Sequence, residues 1–357
     1  MSRFISRRFD SLKEYVPGEQ PQDKKYVKLN TNESPYPPAP GVIERINDAE
    51  VRNLKLYSDP ECRRLREMLA VQYGVEIGNV FVSNGSDESL SFAFMAFCDA
   101  DCGAIFPDIS YGFYKVYANL YGIRYTAVPL LEDFSIRPSD YYNAGATVVI
   151  ANPNAPTGIA LTIAEIEEIV KRNPDNVVVI DEAYVDFGAE SAVALTKKYD
   201  NLLVVQTFSK SRSMAGARLG FAIGCEALIA DLNKIKFSTN PYNVNRLTCA
   251  AGEATLAAQD YYNDNCRKII ETRAWTAEKL ANLGFSMTDS KANFLFAKHE
   301  SMDGEALYLA LKARGILVRH FSADRISPYL RITVGSPEEM QALIDALTEI
   351  LQNGGTV

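Results

Sequence analysis

Val177-Val178-Val179-Ile180-Asp181-Glu182-Ala183-Tyr184 runs four β-branched residues into two carboxyls and a phenol. β-Branched side chains favour extended backbone, so the run predicts a short buried strand with a polar carboxyl end. The same pattern recurs on either side. Thr147–Ala151 precedes it, Leu202–Gln206 follows it, and Asn79–Ser83 and Gly103–Phe106 are further strands upstream. Helical patterns fill the gaps. Asp59-Pro60 sets a cap before a first-turn proline and predicts a helix to about Tyr73. Another helix is expected from about Ser86, and Thr162 with Glu165 forms a capping box for a third. Strands alternating with helices predict βαβ units and an α/β fold with a mostly parallel central sheet.

After about residue 252 the pattern changes. A long helix over roughly 261–283 is expected to stop at Gly284, because glycine readily takes the left-handed conformation of a C-cap. A strand at Asn293–Ala297, a helix ending near Gly315, strands at Ile316–Arg319 and Leu330–Val334, and a last helix opened by Ser336, Pro337 and Glu339 suggest a smaller α+β unit. At the other end, Pro17, Pro21, Pro35, Pro37, Pro38 and Pro40 predict an extended arm. The expected division is an arm over 1–40, a large domain over 41–251 and a small C-terminal domain over 252–357.

Composition narrows the function. The net charge of -8 over 357 residues argues against a nucleic-acid surface. No stretch reaches the roughly 20 apolar residues of a membrane span, and the first residues have no apolar signal core, so a cytoplasmic protein is expected. The six cysteines lack the tight spacing of a disulfide framework. With only His299 and His320, histidine metal sites and Ser-His-Asp triads are nearly excluded by inventory.

In an open parallel sheet, ligands bind beyond the carboxyl ends of the strands. Polar clusters stand at those ends: Ser83 to Glu88, Asn152 to Gly158, Asp181 to Tyr184, and Thr207 to Lys210 with Arg218 eight residues on. A lysine amine in such a pocket can form an imine with an aldehyde, and pyridoxal phosphate (PLP) bound this way also wants a carboxylate at its ring nitrogen. Lys210 and Asp181 are the candidates, 29 residues apart, about one strand-helix-strand unit. Gly85-Ser86 opening a helix, with Ser209 and Arg218, would cup a phosphate. Tyr111 is a candidate ring-stacking partner and Tyr184 a donor to a ring hydroxyl, while Tyr114, Tyr117 and Tyr121 are assigned to packing. In Leu330–Val334 the faces alternate, so Arg331 and Thr333 point away from the apolar side.

Tyr15-Val16-Pro17-Gly18, Lys28 to Glu33, Asp181 to Tyr184, Thr207 to Lys210 and Leu330 to Gly335 together resemble the histidinol-phosphate aminotransferases, a branch of the fold-type-I PLP aminotransferases of class I and II. The resemblance implies that Lys210 carries PLP, Asp181 holds the ring nitrogen and Tyr184 reaches the ring oxygen. It places Gly85, Ser86, Asp87, Thr207, Ser209 and Arg218 at the phosphate and Tyr111 on the ring face. It implies a homodimer in which Tyr57 reaches the partner's cofactor phosphate. Arg331 and its companion Arg319 would grip the substrate's anionic group, with Tyr15, Asn32 and Glu33 on the substrate side. The implied reaction is transamination between histidinol phosphate and 2-oxoglutarate. A threonine-phosphate-type decarboxylase and an aromatic amino-acid aminotransferase are the alternatives. One position departs from the family pattern: Ala155 stands where an asparagine usually precedes Pro-Thr-Gly, and Asn154 is expected to take over its contact, with Asn152, or Tyr184 acting alone, as the alternatives.

Overall fold

The computed structural model describes residues 4–6, 9 and 12–352. The chain enters through β1 (Val27–Lys28), two short helices, α1 (Pro40–Arg45) and α2 (Asp48–Arg52), and then α3 (Arg63–Tyr73). Next come β2 (Val80–Ser83), α4 (Ser86–Phe97), β3 (Ala104–Pro107), α5 (Phe113–Tyr121), β4 (Tyr125–Val128), β5 (Thr147–Ala151), α6 (Ile163–Lys171), β6 (Val178–Asp181), β7 (Leu202–Thr207) and β8 (Gly220–Gly224). Helices α7 (Glu226–Thr239), α8 (Arg246–Leu256) and α9 (Gln259–Asn282) lead to β9 (Phe285–Met287) and β10 (Phe294–His299). The chain ends with α10 (Gly304–Ala313), β11 (Ile316–Leu317), β12 (Arg319–His320), β13 (Leu330–Thr333) and α11 (Pro337–Gln352).

Seven strands make the main sheet in the order β2-β8-β7-β6-β5-β3-β4. Its middle is parallel, and β8 joins antiparallel between β7 and β2. Both faces are covered, which is why these strands are continuous apolar runs rather than alternating ones. Val148, Ile150, Val178, Ile180, Leu202 and Val204 pack on one side with Leu65, Ile166 and Ala251. Val149, Ala151, Val179, Leu203 and Val205 pack on the other with Phe94, Tyr114 and Leu228. Each fully buried aliphatic side chain stabilises by about 1.5–3 kcal/mol, so this double core anchors the strand ends.

A second sheet, β12-β13-β10-β9, has its own core of Leu295, Leu307, Ile332 and Leu347 under α10 and α11. β1 pairs in parallel with β11, so the N-terminal segment is laced to this sheet's neighbourhood. The capping box at Thr162 and Glu165 is present, and Gly284 is left-handed (φ +85) after α9. One reading needs correction, and two strands went unread. The helix expected at Asp59-Pro60 begins only at Arg63, because Cys62 takes a left-handed conformation (φ 47) that interrupts it, while Asp59 Oδ2 still caps the Arg63 N–H at 2.8 Å. Strands β4 and β8 lacked a legible pattern: β4 is a half-exposed edge, and glycines bound β8. Among the described residues no helix is long and apolar enough to cross a membrane.

Candidate active site

Parallel strands in register bring their ends together: Ala151 lies beside Asp181, and Asp181 beside Val205. A hollow of about 160 Å³ opens there. Ser86, Asp87, Tyr111, Asp181, Tyr184, Thr207, Ser209, Lys210 and Arg218 line it, and Thr31 and Glu33 close it from the N-terminal segment.

Residues alternate sides along β6, so Asp181 follows Val179 onto the face covered by α5. Its Oδ2 accepts from the Tyr114 hydroxyl at 2.8 Å and its Oδ1 from the Ala183 N–H at 3.2 Å. Burial pushes the carboxyl up to about 6, with these two donors pulling it back. Lys210 leaves the loop after β7; its Nζ donates to the Thr31 carbonyl at 3.2 Å and stands 5.7 Å from the Tyr184 ring centre. The Tyr184 hydroxyl accepts from Asn32 Nδ2 at 2.9 Å. Asn32 is buried and left-handed (φ 57), and it is held from the second sheet, its N–H donating to Thr333 Oγ1 at 3.0 Å and its carbonyl accepting from Asn293 at 3.1 Å.

At the other end of the hollow, α4 begins at Gly85 (φ +78), presenting first-turn N–H groups and the positive end of its dipole. A Cβ on Gly85 would lie 2.6 Å from Arg218 Nη2, and one on Gly220 would lie 2.3 Å from the Ser86 nitrogen. Only glycine allows this close approach. Arg218 donates to Asp87 Oδ2 at 2.9 Å and to Ser209 Oγ at 3.4 Å. Tyr111 donates to Asp87 Oδ1 at 2.7 Å, and Thr207 Oγ1 lies 3.0 Å from Ser209 Oγ.

Some expected residues stand outside the hollow. Asn154 spends its amide on the Ile109 carbonyl (3.0 Å) and Thr157 (3.1 Å) and accepts from Ser110 (2.7 Å); Ala155 lines the hollow instead. Tyr15 stacks on Phe113 with ring centres 4.3 Å apart. Arg319 and Arg331 face each other in register across β12 and β13, so both guanidinium groups leave the same side of the sheet. Arg331 is half-buried; its Nη2 donates to the Asn30 carbonyl at 3.0 Å, and its buried Nε has no hydrogen-bond partner. Arg319 donates to the Val16 and Pro17 carbonyls, both at 3.1 Å. Tyr57 is 78 % exposed and stacks on Tyr242 at 4.5 Å.

Tyr114 and Thr31 were missed as site residues. Tyr114 and Tyr117, read as packing, also hydrogen-bond the site: Tyr114 to Asp181, Tyr117 to the Asp87 carbonyl at 2.9 Å. The available signal was spacing, since Tyr114 sits one helical turn beyond Tyr111 and so returns to the same side. Thr31 acts through its backbone carbonyl, for which residue identity carries no signal.

The profile of the aminotransferase class I and II family matches residues 24–347. A histidinol-phosphate aminotransferase of Brachyspira hyodysenteriae is 50% identical over 354 residues, 99% of this chain and all of that one. Another, from a Marinomonas species, is 52% identical over 350 residues, covering 97% of this chain and 99% of its own. The crystal structure of the histidinol-phosphate aminotransferase of Sinorhizobium meliloti in complex with pyridoxal-5'-phosphate superposes with a TM-score of 0.87, covering 99% of this chain and all of that one at 24% identity, a likeness of fold. The fold is that of the fold-type-I PLP enzymes, and the chain belongs to the class I and II aminotransferase family.

Proposed function

We propose that this chain is a PLP-dependent transaminase that converts histidinol phosphate and 2-oxoglutarate into imidazole acetol phosphate and glutamate, a step of histidine biosynthesis. The nearly full-length likeness to histidinol-phosphate aminotransferases carries the choice of substrate.

The residues fit the cofactor. Asp181 is a buried carboxyl held by two neutral donors, and a protonated ring nitrogen would supply the cation it lacks. Gly85 and Gly220 clear a cradle at the α4 N-terminus, with Ser209, Thr207 and Arg218 as donors for a phosphate. Lys210 is the one amine lining the hollow among the described residues. Bound there, PLP supplies an aldehyde carbon for the amine and a ring that accepts electrons from the substrate Cα.

The protein's own groups then have distinct tasks. Lys210 Nζ takes the proton from the substrate Cα and returns one to the cofactor side. With the cofactor bound, Asp181 would keep the ring nitrogen protonated, Tyr184 would donate to the ring oxygen, and Tyr111 would cover the ring face. Arg331, half-buried with an unpartnered Nε, and Arg319 beside it suit the substrate's phosphate, since two guanidinium groups on one face favour an anion between them. Tyr15, Asn32 and Glu33 close the substrate side, whereas Asn154 acts by shaping its turn.

A homodimer completes this reading. Tyr57 and neighbouring Leu54, Leu56 and Tyr242 form an exposed apolar surface suited to a second copy, into whose site Tyr57 would reach. The division at 41–251 and 252–357 puts the lysine on one unit and the two arginines on the other, so the cleft lies between them. A cytoplasmic location completes the proposal.

Adding histidinol phosphate to PLP-loaded protein without a 2-oxo acid should convert the visible absorbance band to the pyridoxamine form. Adding 2-oxoglutarate should restore it. Carbon dioxide release, or an equal response to tyrosine, would overturn the substrate assignment.

A further inference from the structure

A second pocket, of about 130 Å³, lies apart from the proposed active site and is lined by Arg45, Ser58, Asp59, Cys62, Arg246 and Cys249 among others. Two cysteines 187 residues apart meet in its wall, with Cys62 Sγ 3.9 Å from Cys249 Sγ. Both are reduced. We propose that Cys62 and Cys249 are an oxidation site at which a hydroperoxide forms a reversible disulfide within the chain.

The geometry favours this pair. Cys62 sits at the entry to α3 in a left-handed conformation (φ 47), which a residue with a side chain seldom adopts. Cys249 lies in the first turn of α8 and is partly accessible through the pocket. The two sulfurs stand near van der Waals contact, so a bond of ~2.05 Å requires them to close by roughly 1.9 Å, and the pocket beside them admits a peroxide-sized molecule. The pair is also asymmetric. The contact with Cys249 lowers the Cys62 thiol pKa, opposed by burial and helped by nearby Lys236, while the same contact and burial raise that of Cys249. Either cysteine can supply the attacking thiolate, because nearby Lys236 favours ionisation of Cys62 while Cys249 is the more accessible of the two.

The chemistry balances. The thiolate of one cysteine attacks one peroxide oxygen, the O–O bond breaks, and a sulfenic acid forms with release of hydroxide, or of alkoxide from an organic peroxide. The sulfur of the second cysteine then attacks the sulfenic sulfur; the S–S bond forms, the S–O bond breaks, and the departing hydroxide leaves as water with the second thiol's proton. Two thiols and one hydroperoxide give one disulfide and two waters, or water and an alcohol for an organic peroxide.

The bond would add a third tie between two segments already joined twice. Ser58 Oγ donates to the Val244 carbonyl at 2.7 Å, and Arg246 Nη2 donates to the Tyr57 carbonyl at 3.0 Å. Oxidation would therefore stiffen the stretch that carries Tyr57 and constrain the unfolded chain by a long loop.

Titrating PLP-loaded protein with hydrogen peroxide tests this. Non-reducing peptide mapping should find the Cys62 and Cys249 peptides joined, with faster migration on a non-reducing denaturing gel and a melting temperature raised by several degrees. Dithiothreitol should reverse all three. Cys62→Ser and Cys249→Ser should abolish the cross-link, and Cys225→Ser should keep it. If both thiols still react with iodoacetamide at peroxide doses that oxidise the other cysteines, or if the cross-link joins another pair, the proposal fails.

Discussion

Asp181 and Glu182 are adjacent carboxyls, both buried, that end up on opposite sides of the same strand end. Burial is the first cause of the shift in each, raising Asp181 to about 6 and Glu182 to about 7. Their surroundings differ in kind. Glu182 has its needs met by the protein: Ser191 Oγ and the Ala192 N–H donate at 2.6 Å, and Gln206 donates at 2.8 Å. Beyond Gln206 a chain of contacts continues, from Tyr73 at 2.6 Å to Arg212 at 3.1 Å, whose guanidinium stands 3.6 Å from Asp186, which in turn accepts from Ser211 beside Lys210. Asp181 instead faces a hollow with only two donors. The one side holds the lysine loop in place; the other is built to receive a charged partner. A buried carboxyl signals a ligand when its hydrogen bonds are incomplete, and a brace when they are complete.

Four experiments break or sharpen that contrast. The largest effect belongs to Lys210→Ala, which should reduce turnover at least about 10⁴-fold and abolish the visible band of PLP-loaded protein. Normal turnover would remove the hollow from consideration. Asp181→Asn should come next, with PLP still bound and kcat lower by on the order of 10³-fold, because the variant cannot hold a ring cation. Glu182→Gln should show the opposite profile. The amide keeps the shape but places an N–H against donors, so stability should fall by about 1–3 kcal/mol in denaturant titration, with kcat changed far less than in Asp181→Asn. Equal losses of kcat in the two variants would erase the distinction.

The smallest effect is in pH dependence. Both carboxyls have folded pKa values above their unfolded ones of roughly 4, so the folded cofactor-free protein binds more protons between about pH 4 and 7. Their joint contribution therefore weakens stability as pH rises through that window. The melting temperature of cofactor-free protein should reflect this by falling more steeply than that of PLP-loaded protein, because a ring cation restores the ionised form of Asp181. Identical slopes would mean that Asp181 gains no counter-charge from the cofactor.

Much of the sheet was readable because its strands are buried on both faces, which leaves unbroken apolar runs ended by polar clusters. β4 and β8 were not, since a half-exposed edge and a glycine-bounded strand carry weak patterns. Lys210, Asp181 and Arg218 stood out by side-chain chemistry at strand ends. Asn154 was expected as a ring contact because it adjoins Ala155, where the family pattern has an asparagine, yet its amide closes a local turn, a use that asparagine serves equally well. Tyr114 was hidden among aromatic packing residues, because a hydroxyl on an apolar helix face declares nothing about where it ends.

The alternation of most strands and helices and the polar strand ends follow from the amino-acid sequence, because they depend on local preference and residue type. The contacts that separate a ligand site from a brace do not. Tyr114 meets Asp181 across 67 residues, Lys210 meets the Thr31 carbonyl across 179, and Arg319 lies opposite Arg331 only through strand register. Such meetings are set by how helices pack on the sheet and how strands align, and a shift of one residue would turn each side chain to the other face.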